Sequence, residues 1–577
     1  MARHAADHEP VNPEKGSRST GSPLIGKKMK IYRHICRDLH RPVFVVLSLL
    51  IAGALAACSE KPQSDAAGSN VSAAERQAGN QLISDNCSGC HQAAGDGGFS
   101  RISQIRKTPE GWDMNIARMM IFHGLEITPE DRRALVKYLS DSQGLAPSET
   151  AAHRDVLERK HNVIEQGVDP DLAAMCARCH TYARVALQRR DREEWRNLVH
   201  MHLGQWASIE YQMLSRERDW RADALGPVSE QLAKLYPLKT PAWTDWQATE
   251  WKDMAGEWRI VGHLPGIGDM DGVMTVTARG GDQYQTAYRL TFSDGRTVEG
   301  AGESIVHSGY EWRGSATLGD EKYRQIWAAS TDGDRLRGRF FKRDHFEDGM
   351  EITAWRKAAD MKGIMSVVPS ALKAGVETEI VISGVNLSGD VSLPGARVTV
   401  QEMSADRIVI LATADGGRTG AVQLSVGEDV AAQPFALYDQ VDYLQVTPEY
   451  GISRLGGGGG SIPKVMAQFE AVGYTFGPDG KQGTADDVRL GRLPVEWAVD
   501  NFNEAAAEMQ DAKYAGHITE QGTFIPAAAG PNPARKYSTN NAGDLKVIAT
   551  YRDGDDVLTA EAHLIATVQR WNNPPIM

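Results

Sequence analysis

Cys87-Ser88-Gly89-Cys90-His91 and Cys176-Ala177-Arg178-Cys179-His180 are two copies of one five-residue pattern, C-x-x-C-H. In such a run two thiols form thioethers with the vinyl groups of a haem, and the adjacent imidazole becomes an iron ligand. A lone C-x-x-C could equally be a redox dithiol or half of a zinc site. A histidine directly after the second cysteine, twice over, argues against both. The pattern predicts two covalently bound haem c groups on Cys87, Cys90, Cys176 and Cys179, with His91 and His180 as the proximal iron ligands.

The remaining cysteines support this by exclusion. Of six, only Cys36 and Cys58 lie outside the two motifs, and both fall in the N-terminal leader. No thiols remain for a disulfide framework, so regions after the leader must be held by burial and pairing alone. The leader, residues 1–58, reads as an export signal. Basic residues (Lys27, Lys28, Lys30, Arg33, Arg37, Arg41) precede an apolar run from Val43 to Ala57, which is short for a membrane span. Residues 1–28 are polar and unlike a signal peptide, so Met29 is an alternative start. Leu55-Ala56-Ala57-Cys58 also matches a bacterial lipobox, in which Cys58 would carry lipid; ordinary cleavage after Ala54 or Ala56 is the competing reading. Either way the expected location is the periplasm.

The chain beyond the leader, about 500 residues, is too long for one core, and several domains are expected. A net charge of −12 makes neither nucleic acid nor an anionic membrane surface a natural electrostatic partner. The first domain, 59–241, reads as all-α and dihaem. Ser72 and Glu75 form a capping box ahead of a helix that leads into the first motif. Thr108-Pro109 and Thr128-Pro129 start two more helices, the last ending near Tyr138-Leu139. That order resembles a class I cytochrome c, with Gly79 and Tyr138 at the crossing of its first and last helices. A looser second unit comes next. Setting Trp195 beside Trp112 brings His202 into register with Met119, and these two are the predicted distal ligands. Met120, His123, His200 and Met201 lie within a turn of them and compete. A thioether on one iron and a second imidazole on the other would give two different potentials.

Beyond Pro241 the character changes to short alternating runs punctuated by turns. Tyr288 to Phe292, then Ser293-Asp294-Gly295, then Arg296 to Val298 is a hairpin signature. Residues 242–359 read as an antiparallel β-barrel, 360–440 as an immunoglobulin-like sandwich without the inter-sheet disulfide, and 441–577 as a second immunoglobulin-like domain. The glycines from Gly456 to Gly460 lack a following Lys-Ser/Thr and so are no P-loop. Asp479, Asp486 and Asp487 stand among glycine turns and could offer oxygens to calcium, but without EF-hand spacing a plain Asp/Gly turn is the preferred reading.

The two C-x-x-C-H runs, the segments Arg118-Met119-Met120 and Leu198-Val199-His200-Met201-His202-Leu203-Gly204-Gln205, and the β-rich regions behind them resemble the α subunit of quinohaemoprotein amine dehydrogenase. The resemblance implies an electron-transfer subunit. In that family a primary amine is oxidised to an aldehyde and ammonia by a cysteine tryptophylquinone on a small γ subunit, nested against this chain and a propeller-type β subunit. Electrons then pass through the α chain to a soluble carrier, a blue copper protein or a small cytochrome c. No catalytic residue for the amine chemistry is therefore expected here. Two rivals stand: a standalone dihaem oxidoreductase such as a peroxidase, and a haem-bearing protein whose β domains bind a surface or polysaccharide.

Overall fold

The computed structural model of the chain describes residues 70–568, apart from 96, 161, 418 and 459–461. The leader with Met29 and Cys58, and part of the Gly456–Gly460 run, lie outside the described residues.

Helix α1 (Ala73–Cys87) starts where the capping box puts it: Ser72 Oγ accepts from the Glu75 backbone at 3.2 Å, and Glu75 accepts from the Ser72 backbone at 2.8 Å. A short strand, β1 (Ile105–Lys107), precedes α2 (Pro109–His123). Thr108 caps α2, Pro109 occupies its first position, and Gly124 ends it at φ +70°. Thr128 caps α3 (Pro129–Gln143) in the same way. α1 and α3 cross so closely that a Cβ at Gly79 would sit inside the Tyr138 ring, whose hydroxyl donates to Asn80 at 2.9 Å. Ile83, Trp112, Ile116, Leu135 and Leu139 close this first core.

The second half begins with α4 (Pro170–Cys176), whose N-cap Asp169 accepts from two backbone amides. Next come α5 (Ala183–Ala186), strand β2 (Gln188–Arg190) and α6 (Arg192–Gly204). Its separate core gathers Leu172, Met175, Tyr182, Trp195, Val199 and Trp220. β1 and β2 pair antiparallel, Ile105 with Arg190 and Lys107 with Gln188, and so tie the two halves together.

The chain is mainly β, and the expected all-α dihaem domain is not what it builds. Three-residue strands rich in arginine carry no apolar alternation, which is why the β1–β2 ladder escapes pattern reading. α7 (Pro241–Ala248) then delivers Trp243 and Trp246 to the mouth of a closed antiparallel barrel. Its strands are β3 (Gly256–Leu264), β4 (Gly268–Gly280), β5 (Gln283–Phe292), β6 (Thr297–His307), β7 (Glu311–Leu318), β8 (Glu321–Ala329), β9 (Arg335–Lys342) and β10 (Gly349–Arg356), with β10 closing on β3. Strand alternation fills the inside: Tyr284, Tyr288, Leu290 and Phe292 point inward from β5. Trp312 and Trp327 stack at 5.4 Å, and Gln325 satisfies both Trp312 Nε1 and the Tyr288 hydroxyl at 2.9 Å. The interior is a packed aromatic core.

Residues 363–438 fold into a four-stranded sheet and two three-stranded sheets, and 443–567 into three further sheets with two short helices, Glu504–Met509 and Asp511–Tyr514. The sandwich expectation is corrected too. Each region contains a parallel pair (Ala371–Lys373 with Phe435–Tyr438; Tyr450–Arg454 with Asp556–Thr567), and the last is not all-β. Short-range turn signals predict hairpins but cannot report pairing between strands distant in sequence.

Candidate functional site

Each C-x-x-C-H run sits at the C-terminal end of a helix. α1 ends at Cys87, and the Cys90 and His91 amides donate back to the Cys87 carbonyl at 3.1 and 2.9 Å. α4 ends at Cys176. In both runs the first cysteine is half-buried, Cys87 against the first apolar core and Cys176 against the second, while Cys90 and Cys179 are exposed. None of the four is joined in a disulfide.

The imidazoles are oriented for ligation. His91 Nδ1 lies 2.8 Å from the Ser100 carbonyl, His180 Nδ1 2.8 Å from the Thr181 carbonyl, and His202 Nδ1 2.8 Å from the Leu198 carbonyl. A carbonyl only accepts, so Nδ1 carries the proton and Nε2 keeps its lone pair. Burial, then the neighbouring Arg184, pulls the His180 pKa down to about 4; burial also lowers that of His202, where Arg118 and Arg184 act in the same sense. Both rings are neutral at physiological pH, as a metal ligand requires. His202 is among the groups that lower the His180 pKa, so the turn after α4 and helix α6 bring the two rings within electrostatic reach.

On α2 the structure separates the adjacent methionines. Met120 packs against the core that includes Cys87, and its sulfur accepts from Arg132 at 3.9 Å. Met119 is half-buried, and its carbonyl takes the cap bond from Gly124. Of the competing histidines, His200 is exposed and His123 Nε2 contacts Gln205 at 2.7 Å. The donor set suits haem c: paired thiols, an oriented imidazole beside each pair, and apolar walls.

The acidic loop is a turn. Asp487 accepts from the Tyr443 hydroxyl and from the Gly477, Gly483 and Thr484 amides, at 2.7 to 3.1 Å. Asp486 and Asp479 are likewise used by Thr484 and the loop backbone. Among the described residues no group of three His, Cys, Asp or Glu side chains is set to hold a metal ion.

Sequence reasoning missed the charged joint between the two halves. Arg106 and Arg189 share Glu149 at 2.9 and 3.0 Å, and Arg190 meets Glu194 at 3.5 Å. Lys107 is only 3% exposed. The signal was present as Arg106-Lys107 and Gln188-Arg189-Arg190, ordinarily read as surface loop.

Fold and sites together define a haem-binding chain in which a two-part haem region leads into a series of β domains. Family models describe it in four consecutive pieces: quinohemoprotein amine dehydrogenase A, alpha subunit, haem binding, over 77–243; alpha subunit domain II over 252–357; domain III over 362–439; and domain IV over 444–576. The chain belongs to the quinohemoprotein amine dehydrogenase alpha subunit family. No curated protein sequence matches it significantly. Among solved structures, a de novo designed fluorescence-activating β-barrel is 24% identical over 18% of this chain and 92% of its own, with a TM-score of 0.16. The mouse clustered PcdhgC3 EC1-3 structure is 12% identical over 41% of this chain and 76% of its own, also with a TM-score of 0.16. At that level of likeness neither bears on function.

Proposed function

We propose that this chain is the electron-transfer subunit of a periplasmic amine dehydrogenase, carrying two covalent haem c groups between a quinone on a partner subunit and a soluble carrier. The family membership supports the complex. The observation that carries the electron-transfer role is the pair of C-x-x-C-H runs, each with its Nδ1 bonded to a carbonyl and Nε2 left to ligate.

Oxidative deamination converts a primary amine and water to an aldehyde and ammonia, releasing two electrons and two protons. That chemistry belongs to cysteine tryptophylquinone on a small γ subunit, held with a propeller-type β subunit against this chain. When bound, the haems supply one-electron redox chemistry, so two of them match the two electrons of each amine. Cys87, Cys90, Cys176 and Cys179 anchor the groups, and His91 and His180 hold the proximal positions. Met119 and His202 fill the distal ones. Met119 is favoured over Met120 because the latter's sulfur is engaged by Arg132, and His202 over His200 because only His202 is half-buried with an oriented ring. Held by His91, His180, Met119 and His202, the haems would supply electron transfer rather than reaction with oxygen or peroxide, which disfavours the peroxidase reading. The soluble acceptor is a blue copper protein or a small cytochrome c, and lipid on Cys58 would add a membrane anchor.

The test is isolation of the chain from its own cells with its tightly bound partners. The expected result is a complex containing one larger and one small quinone-staining subunit, and a haem mass on each of the peptides 87–91 and 176–180. A stable, partner-free chain, or haem on neither peptide, would remove the reading.

A further inference from the structure

The joint between the two haem halves holds more positive charge than its acids neutralise. All six residues of β1 and β2 are buried, and five of them, Arg106, Lys107, Gln188, Arg189 and Arg190, are polar or charged. Glu149 compensates Arg106 and Arg189, and Glu194 compensates Arg190. Lys107 has no such partner: its ammonium donates to Asn115 Oδ1 at 3.1 Å. Arg118, one turn further along α2, reaches the same oxygen at 3.5 Å and the Met114 sulfur at 3.5 Å. Arg184, from α5, donates to that sulfur at 3.0 Å. Three basic groups thus converge on one amide oxygen and one thioether, with no carboxylate in ion-pair reach among the described residues; burial pushes the Lys107 pKa well below its ordinary value and lowers those of Arg118 and Arg184. A thioether is a weak acceptor, and a buried charge without a counter-ion is strongly unfavourable. An anion at this place would hold all three groups in their charged form.

We infer that Lys107, Arg118 and Arg184 are the counter-charge for the propionate carboxylates of the second haem, the one anchored by Cys176 and Cys179. Position selects that haem. Arg184 lies four residues beyond His180 and meets Arg118 on the Met114 sulfur, at 3.0 and 3.5 Å. Haem is the one dianion that the motifs themselves import, and guanidinium groups match carboxylates in shape and charge. The arrangement has a redox consequence. Fixed positive charge beside the porphyrin favours the electron-rich ferrous state, so these residues raise a potential that two imidazoles would otherwise leave low. Met114 and Asn115, on α2 of the first half, hold these groups in place through their hydrogen bonds, which would give α2 a part in both centres.

The inference rests on the dihaem reading, and one experiment separates the two. The assembled complex is prepared with R184Q, R118Q and R184K, the 176–180 peptide is weighed for haem, and both potentials are measured by spectroelectrochemical titration. With haem on that peptide, R184Q and R118Q are expected to lower the potential of the second haem only. A tenfold shift of its equilibrium toward ferric iron corresponds to about 59 mV for a one-electron couple. R184K, which keeps the charge, should give less than half that shift. Unmoved second-haem potentials, equal shifts for R184Q and R184K, or a shift confined to the first haem would overturn the inference while leaving the dihaem reading intact. Absence of haem from the wild-type peptide would overturn both.

Discussion

Gly79 and Tyr138 leave almost no tolerance at the helix crossing of the first haem half. The two were legible as a pair from the order of helices around the first C-x-x-C-H run, and the backbone approach leaves no room for a methyl group. G79A should cost about 1–3 kcal/mol, read as a lowered denaturation midpoint, because the ring must leave its rotamer or the helices must part. The six residues of the two C-x-x-C-H runs could be proposed from the sequence because their chemistry is written in contiguous spacing. The distal ligands were less legible, because α2 and α6 each offer several candidates within one turn, and the proposal of Met119 and His202 rests on burial and hydrogen-bond state. M119L should lower the potential of the first haem or open its iron to added ligands, whereas M120L should cost stability and leave the spectrum alone. Spectra altered by M120L and untouched by M119L would reverse the assignment.

Among elements, the helix starts were readable to the residue, since Ser72, Thr108 and Thr128 each announce a cap through local chemistry. The β1–β2 ladder was not, and it is this pair that makes the haem region something other than an all-α unit. Contacts between strands far apart in sequence were equally silent. His263 on β3 illustrates one: its Nδ1 meets Asp269 at 2.9 Å and its Nε2 meets Glu470 at 2.7 Å, in the strand Glu470–Thr475 of the last region. Burial works to lower its pKa, but Asp269 and Glu470 outweigh that and raise it above its ordinary 6.5. A folded pKa above the unfolded one means the stabilisation is fully present below about pH 6.5 and is lost as pH rises through the folded value. Wild type should therefore lose stability relative to H263Q on going from pH 6 to pH 9, in urea melts at each pH. A difference that stays constant across that range would show that the imidazole is neutral throughout.

For the whole molecule, the haem region is fastened to the barrel by buried charge as well as by tryptophan. Glu311 on β7, with its side chain 2% exposed, accepts from Arg154 at 2.9 Å and lies 2.7 Å from Arg313, which also reaches Glu110 of α2. Burial acts to raise its pKa, yet Arg154 and Arg313 hold it down at about 2. The contribution is present above the unfolded value of about 4.5 and is lost as pH falls through about 2. E311A leaves two arginines without their shared acid and should cost about 3–5 kcal/mol, with the acid-induced loss between these pH values removed. Trp246 adds a bond to the Ser308 carbonyl at 2.8 Å and an edge contact with Tyr310 at 5.6 Å. The barrel's alternation was legible along β5, where every second residue turns inward. The parallel pairs of the later regions were not, because parallel partners are joined by long connections with no turn signature. Large, well-packed β surfaces behind the haem-binding region suit the proposed platform on which catalytic partners assemble.

The most direct test of the central claim is anaerobic and spectroscopic. The chain is isolated with its co-purifying subunits, a simple primary amine is added without oxygen, and the haem absorption bands are tracked. Both haems are expected to be reduced, and the reduction to be abolished when a carbonyl reagent first blocks the quinone. Haems that stay oxidised in the intact complex, or that are reduced regardless of the carbonyl reagent, would contradict the electron-transfer role.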